Sequence, residues 1–131
     1  MNHQIFCRVY YADTDCGKVV YYANYLKFFE RGRTELLRSV GIQQSVLASQ
    51  QNIAFMVHSC QIKYHHPAFL DDLLTIETKI TALGKASIAM QQQITCDHKK
   101  ISSLEINLAC INTASLKPCK LPTTFQQLFY V

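Results

Sequence analysis

The chain reads as an α+β domain. Three observations predict that class: a helical stripe from about Tyr22 to Val40, five runs in which apolar residues recur at every second position, and short connections between most of those runs. One helix and about five strands in 131 residues imply an antiparallel sheet with the helix packed on one face. The 131 residues are expected to form one domain.

In the first run Ile5, Cys7, Val9 and Tyr11 alternate with Phe6, Arg8 and Tyr10, which predicts a strand. A short acidic turn follows, Asp13-Thr14-Asp15-Cys16-Gly17-Lys18. From there Tyr22, Tyr25, Leu26, Phe29, Leu36, Leu37 and Val40 fall on one side at 100° per residue. Gly32 lies in that stripe, where the missing side chain lets the helix approach a sheet closely. Arg31 and Glu35 are spaced as an i,i+4 pair, and Gly41 is placed to terminate the helix. Residues Gln43 to Asn52 read as a polar connection. A long strand is expected from Ile53 to His66, with Ala54, Met56, Cys60, Ile62 and Tyr64 as its apolar alternates, before Pro67 stops it. After Asp71-Asp72, Leu74, Ile76, Thr78 and Ile80 line one face of the next strand. Ala86, Ile88, Met90, Ile94 and Cys96 suggest a fourth strand, and Leu104, Ile106, Leu108 and Cys110 a fifth, joined by the polar Asp97-His98-Lys99-Lys100 hairpin. Thr123 to Phe129 are expected to form a short terminal helical turn. The second sheet face has mixed candidates (Phe55, Val57, Ala89, Ala109, Ile111), so pairing with another subunit is expected.

Composition narrows the function classes. Hydrophobic residues make up 49% of the chain, enough for an ordinary core, and the net charge is only +4. The basic residues are scattered and form no arm or block, which gives nucleic-acid binding little support. No apolar stretch approaches the roughly 20 residues that span a bilayer. Met1-Asn2-His3-Gln4 has neither the basic segment nor the apolar run of a secretory signal, so a cytoplasmic protein is expected. The six cysteines are widely spaced, with no C-x-x-C pair and no Cys/His metal spacing. Reduced thiols and no metal are the expectation, with no cofactor implied.

The acidic turn carries the strongest chemical signal. Amides at a helix start lack intrahelical partners, and the helix dipole adds partial positive charge there. A carboxylate placed beside them suits a reaction that develops an oxyanion. On local sequence alone, Asp13 and Asp15 fit more simply as an Asx-turn or a helix cap.

The wider pattern adds to that reading. Tyr11-Ala12-Asp13-Thr14-Asp15, Val19-Val20-Tyr21, Asn24-Tyr25, Phe29-Glu30-Arg31 and Arg33-Thr34-Glu35 together resemble the hotdog-fold acyl-CoA thioesterases. The resemblance is to the branch related to 4-hydroxybenzoyl-CoA thioesterase, in particular to its YbgC-type members associated with the Tol-Pal envelope system. It continues through Pro67-Ala68, Asp71-Asp72 and Leu116-Lys117-Pro118. It implies a curved antiparallel sheet wrapped around the long helix, with subunits assembled as dimers or dimers of dimers and active sites at the subunit interface. It further implies that Asp15 is the catalytic carboxylate, acting either as nucleophile or as general base on water. By the same resemblance the backbone N–H at Tyr22 is expected to take the oxyanion contact, with Asp13, Thr14, Gly17 and Lys18 supporting the turn. The implied substrate is acyl-CoA, with acyl carrier protein as an alternative donor.

Two positions depart from the family pattern. Tyr22 stands where many YbgC-type enzymes have His, and Lys18 where the family usually has Gly. If that second position needs positive φ, Lys18 is strained unless Gly17 takes over the turn.

Other candidates are weaker. Glu30 is a candidate second acid, since other hotdog enzymes place their carboxylate on the helix, but pairing with Arg33 or Arg31 is the preferred role. Arg33 falls on the apolar side, where a charge requires a partner. His58, His65 and His66 lack zinc spacing, although His65 and His66 are placed to line a site mouth. No G-x-S-x-G elbow, P-loop or dinucleotide fingerprint occurs. A binding module of the same fold, holding acyl thioesters or acyl carrier protein without turnover, is the alternative to an enzyme. A hotdog hydratase would need a His paired with a helix acid, and the turn contains no His.

Overall fold

The computed structural model describes residues 2–129. Five strands form one antiparallel sheet: β1 (Asn2–Arg8), β2 (Ile53–Tyr64), β3 (Leu73–Leu83), β4 (Ser87–Cys96) and β5 (Lys99–Asn112), in the spatial order β1-β3-β4-β5-β2. The long helix α1 (Tyr25–Ser39) packs on β1, β3 and β4, and is followed by α2 (Gln44–Gln51); α3 (Thr124–Leu128) closes the chain. This is the α+β arrangement expected, with five strands and one long helix.

The helix-facing side of the sheet is built by alternation. Leu74, Ile76, Thr78 and Ile80 of β3, Ile88, Met90, Gln92 and Ile94 of β4, and Ser102, Leu104, Ile106, Leu108 and Cys110 of β5 are all buried. Against them α1 places Tyr25, Phe28, Phe29, Gly32, Leu36 and Leu37. At the crossing point, Gln92 Nε2 donates to the Phe29 carbonyl and to Thr78 Oγ1, each at 2.8 Å. Arg33 Nη1 donates to Gln92 Oε1 at 3.0 Å. The opposite face is polar through its centre. Gln61, Lys63, Glu77, Lys79, Gln91 and Glu105 border an open groove of about 440 Å³ there.

Several expectations need correction. The first strand ends at Arg8: Val9 is tied to the later chain by bonds with Asp71 and Asp72, and Tyr11 sits exposed in a 3-10 turn. The 43–52 connection contains the helix α2, whose single buried residue, Leu47, leaves no apolar stripe to read. In β2 the register shifts between Val57 and Ser59. Because of that bulge Ile53, Phe55 and Val57, not Ala54 and Met56, share a face with Cys60, Ile62 and Tyr64. Arg31 does not pair with Glu35. Arg31 lies 5.8 Å over the Phe28 ring, while Glu35 pairs with Arg38 at 3.2 Å. Gly41 does end α1: at φ +87 it donates to the Arg38 carbonyl, and Ile42 donates to that of Leu37, a Schellman cap.

Candidate active site

The acidic turn is assembled by three neighbours. Its own ends meet through the bridge between Thr14 and Val20, and the Asp15 N–H donates to the Val19 carbonyl at 3.0 Å. The 67–72 loop runs alongside it: Val20 N–H donates to the Ala68 carbonyl at 2.9 Å, Leu70 N–H to that of Lys18 at 3.0 Å, and Phe69 bridges Val19. The start of α1 completes the clamp, because the buried Tyr25 hydroxyl accepts the Ala68 N–H at 3.1 Å. Burial holds that phenol's pKa above its ordinary value, so it stays protonated.

Within this frame the two carboxylates are used differently. Asp13 faces inward. Its Oδ2 accepts the Tyr10 N–H at 2.8 Å, and its carbonyl accepts the Tyr21 N–H at 3.1 Å and Asn24 Nδ2 at 2.9 Å. Asp13 is therefore the residue that fixes the turn to the helix entry. Asp15 is exposed. Its Oδ1 accepts the Gly17 N–H at 2.8 Å, an Asx-turn, and its Oδ2 makes no hydrogen bond among the described residues. One carboxylate oxygen is thus oriented by the turn and the other is uncommitted.

Thr14 bonds back to the Tyr11 carbonyl through its hydroxyl at 2.9 Å. Lys18 adopts φ +64, so the strain of the left-handed region falls on Lys18 itself. Gly17 does not take the positive φ.

Between the turn and α1 lies a 3-10 turn, Tyr22–Asn24, so the α-helix begins three residues later than its apolar pattern suggests. The Tyr22 N–H makes no hydrogen bond among the described residues. Its exposed side chain stands 4.9 Å from the Tyr21 ring. The sequence offered no reason to single out Tyr64, the last residue of β2. Its hydroxyl donates to the Tyr22 carbonyl at 3.3 Å, and its ring lies 5.6 Å from Tyr25 and 6.1 Å from Tyr22.

The remaining candidates lie apart from the turn or are otherwise engaged. Glu30 accepts the Thr34 hydroxyl at 3.0 Å and pairs with neither arginine. Arg33 finds the neutral Gln92 amide as its partner, and burial lowers its pKa from the usual arginine value while the Glu30 charge opposes that shift. His65 bonds Ser103 and His66 bonds the Lys100 carbonyl, which draws both rings over the start of β5.

Comparison with known proteins identifies the family. The sequence profile of the thioesterase-like superfamily matches residues 9–129. The chain belongs to that superfamily. It is 40% identical over 123 residues to the acyl-CoA thioesterase YbgC of Haemophilus influenzae, covering 94% of this chain and 90% of that protein. A crystal structure of a probable thioesterase from Bartonella henselae superposes with a TM-score of 0.89 at 41% identity, covering 93% of this chain and 100% of that one. A 4-hydroxybenzoyl-CoA thioesterase variant in complex with 4-hydroxybenzoyl-CoA shares the hotdog fold at a TM-score of 0.91 and 17% identity, covering 98% of this chain and 99% of that one.

Proposed function

We propose that the protein is a cytoplasmic acyl-CoA thioesterase, in which an acyl-CoA and water give a free acid and CoA, with Asp15 as the catalytic carboxylate. The observation that carries this reading is the uncommitted Oδ2 of Asp15, whose Oδ1 is held by the Gly17 N–H, in a turn that leads into the unpartnered Tyr22 N–H. A substrate carbonyl set between them meets a carboxylate on one side and an amide donor at the start of a helical segment on the other. Asp15 then either attacks the carbonyl carbon, giving an acyl anhydride that water cleaves, or takes a proton from water as it attacks. Both routes expel CoA thiolate, which is protonated. The scheme draws on the Tyr22 backbone alone.

The site is completed by a second copy of the chain. β2 is an edge strand, and Met56, Val57 and Tyr64 along it are 51%, 53% and 46% exposed. An unpaired edge carrying apolar side chains is a template for strand pairing, and Tyr64 at its end also touches Tyr22. Light scattering on the purified protein should accordingly give a dimer or a multiple of it.

Thiol release from a panel of short, long and aromatic acyl-CoAs, for wild type and Asp15→Asn, tests the assignment. The variant should lose about 10²–10⁴-fold in kcat, the range of a positioned acid or base. A variant that retains wild-type turnover would remove Asp15 from the mechanism. A wild type that binds acyl-CoA without cleaving it would mark a binding module of the same fold.

A further inference from the structure

At the end of β5 the chain turns through residues 113–116 and runs back beside itself. Asn112 N–H donates to the Lys117 carbonyl and Cys119 N–H to that of Cys110, both at 2.9 Å, with Ile111 bridging Pro118 between them. That ladder sets Cys110 directly opposite Cys119, and their sulfurs are 3.6 Å apart. Directly opposed residues of an antiparallel pair have Cα atoms about 4.5–5.5 Å apart, within the roughly 4.4–6.8 Å that a disulfide spans. Both thiols are free.

We propose that Cys110 and Cys119 form a reversible disulfide site, closed by exchange with a low-molecular-weight disulfide, that staples the C-terminal segment to β5. The Cys119 thiolate attacks one sulfur of the small disulfide; the S–S bond breaks and one small thiolate leaves, taking up the proton Cys119 gave up. The Cys110 thiolate then attacks the Cys119 sulfur and expels the second small thiol. Two protein thiols are oxidised and one small disulfide is reduced to two thiols.

The order of attack follows from the surroundings. Burial, reinforced by the neighbouring Cys119 sulfur, pushes the Cys110 thiol up to about 12, so the partly exposed Cys119 reacts first. Once Cys119 is a mixed disulfide, its hydrogen bond to Cys110 is gone, and the Cys110 sulfur already lies beside its target.

The consequence falls on the tail. Beyond Cys119 the chain is held by the Leu121 N–H on the Lys85 carbonyl at 2.8 Å and by Phe125, whose ring packs 5.9 Å from Phe55. A covalent link at residue 119 shortens the segment that is free to lift away. The inference does not depend on the thioesterase reading.

The test uses the full chain, equilibrated with oxidised and reduced glutathione at a series of ratios, quenched by alkylation under denaturing conditions and mapped by mass spectrometry. The expected product is a Cys110–Cys119 linked peptide that rises with the oxidised fraction, is reversed by dithiothreitol and is absent from Cys119→Ser. Amide exchange of residues 120–129 should slow several-fold in the oxidised form. Glutathione held only on the exposed Cys16 and Cys60, with Cys110 and Cys119 both alkylated, would overturn the site. Unchanged exchange in a fully linked sample would overturn the staple.

Discussion

Gly32→Ala sets two physical effects against each other, and the distances at the helix–sheet crossing decide between them. In an exposed helix the change stabilises by about 1 kcal/mol. Here a Cβ would meet Ile76 Cγ2 and Thr78 Oγ1 at 2.7 Å and Gln92 Nε2 at 3.0 Å. Neither Ile76 nor Thr78 has exposed surface, and β3 is flanked by strands on both sides, so no neighbour can simply swing out. Overpacking a tight core costs about 1–3 kcal/mol. If the Gln92 amide is displaced, a buried donor loses its partner, which costs about 1–3 kcal/mol more. After subtracting the propensity gain, the net loss is about 0–2 kcal/mol if Gln92 keeps its bonds and about 1–5 kcal/mol if it is displaced. Urea unfolding of wild type and variant at matched protein concentration measures it, provided the slope with denaturant is unchanged. A variant more stable than wild type would show that α1 has room to lift from the sheet and would refute the reasoning.

Two further substitutions probe the candidate site. Tyr64→Phe keeps the ring against Tyr22 and Tyr25 but removes the hydroxyl on the Tyr22 carbonyl, so kcat for thioester hydrolysis should fall about 2–10-fold, the equivalent of one hydrogen bond, with KM little changed. An unaltered kcat would remove Tyr64 from the positioning of that backbone. Lys18→Gly relieves a left-handed residue at φ +64 and should raise stability by up to about 1 kcal/mol; a loss in thermal unfolding would show that the Lys18 side chain contributes more than its strain costs.

The five strands were legible because most of their apolar residues alternate over six or more positions, and Gly41 because it follows directly after the helical stripe. The rest was set by contacts remote in sequence. Nothing local marks the bulge beside His58 that moves Phe55 and Val57 to the helix side. The helix α2 carries too few apolar residues to show a period, and it ends on Asn52 at φ +55, a residue that reads equally well as loop. In β4 the alternation was read from Met90 to Ile94, across Gln92, and that interruption was itself the trace of a buried polar contact. For the candidate site, the turn and its two carboxylates were visible, whereas their division of labour was not. Asp13 and Asp15 look alike until Tyr10 and Asn24 are seen to claim the first. The 67–72 loop and Tyr64 reach the turn from some forty to fifty residues away in the chain, and no local signal showed that they would meet it.

Gln92 also bears on how the helix finds its place along the sheet. Leu36, Phe29 and Ile76 would tolerate a slide of α1 by a residue, about 1.5 Å, with modest repacking. An amide that must reach the Phe29 carbonyl, Thr78 and Arg33 at once does not. It acts as a locating pin in an otherwise greasy bearing. Because Tyr22 and the acidic turn lie just ahead of the same helix, whatever fixes the pin also sets where that turn sits along the sheet.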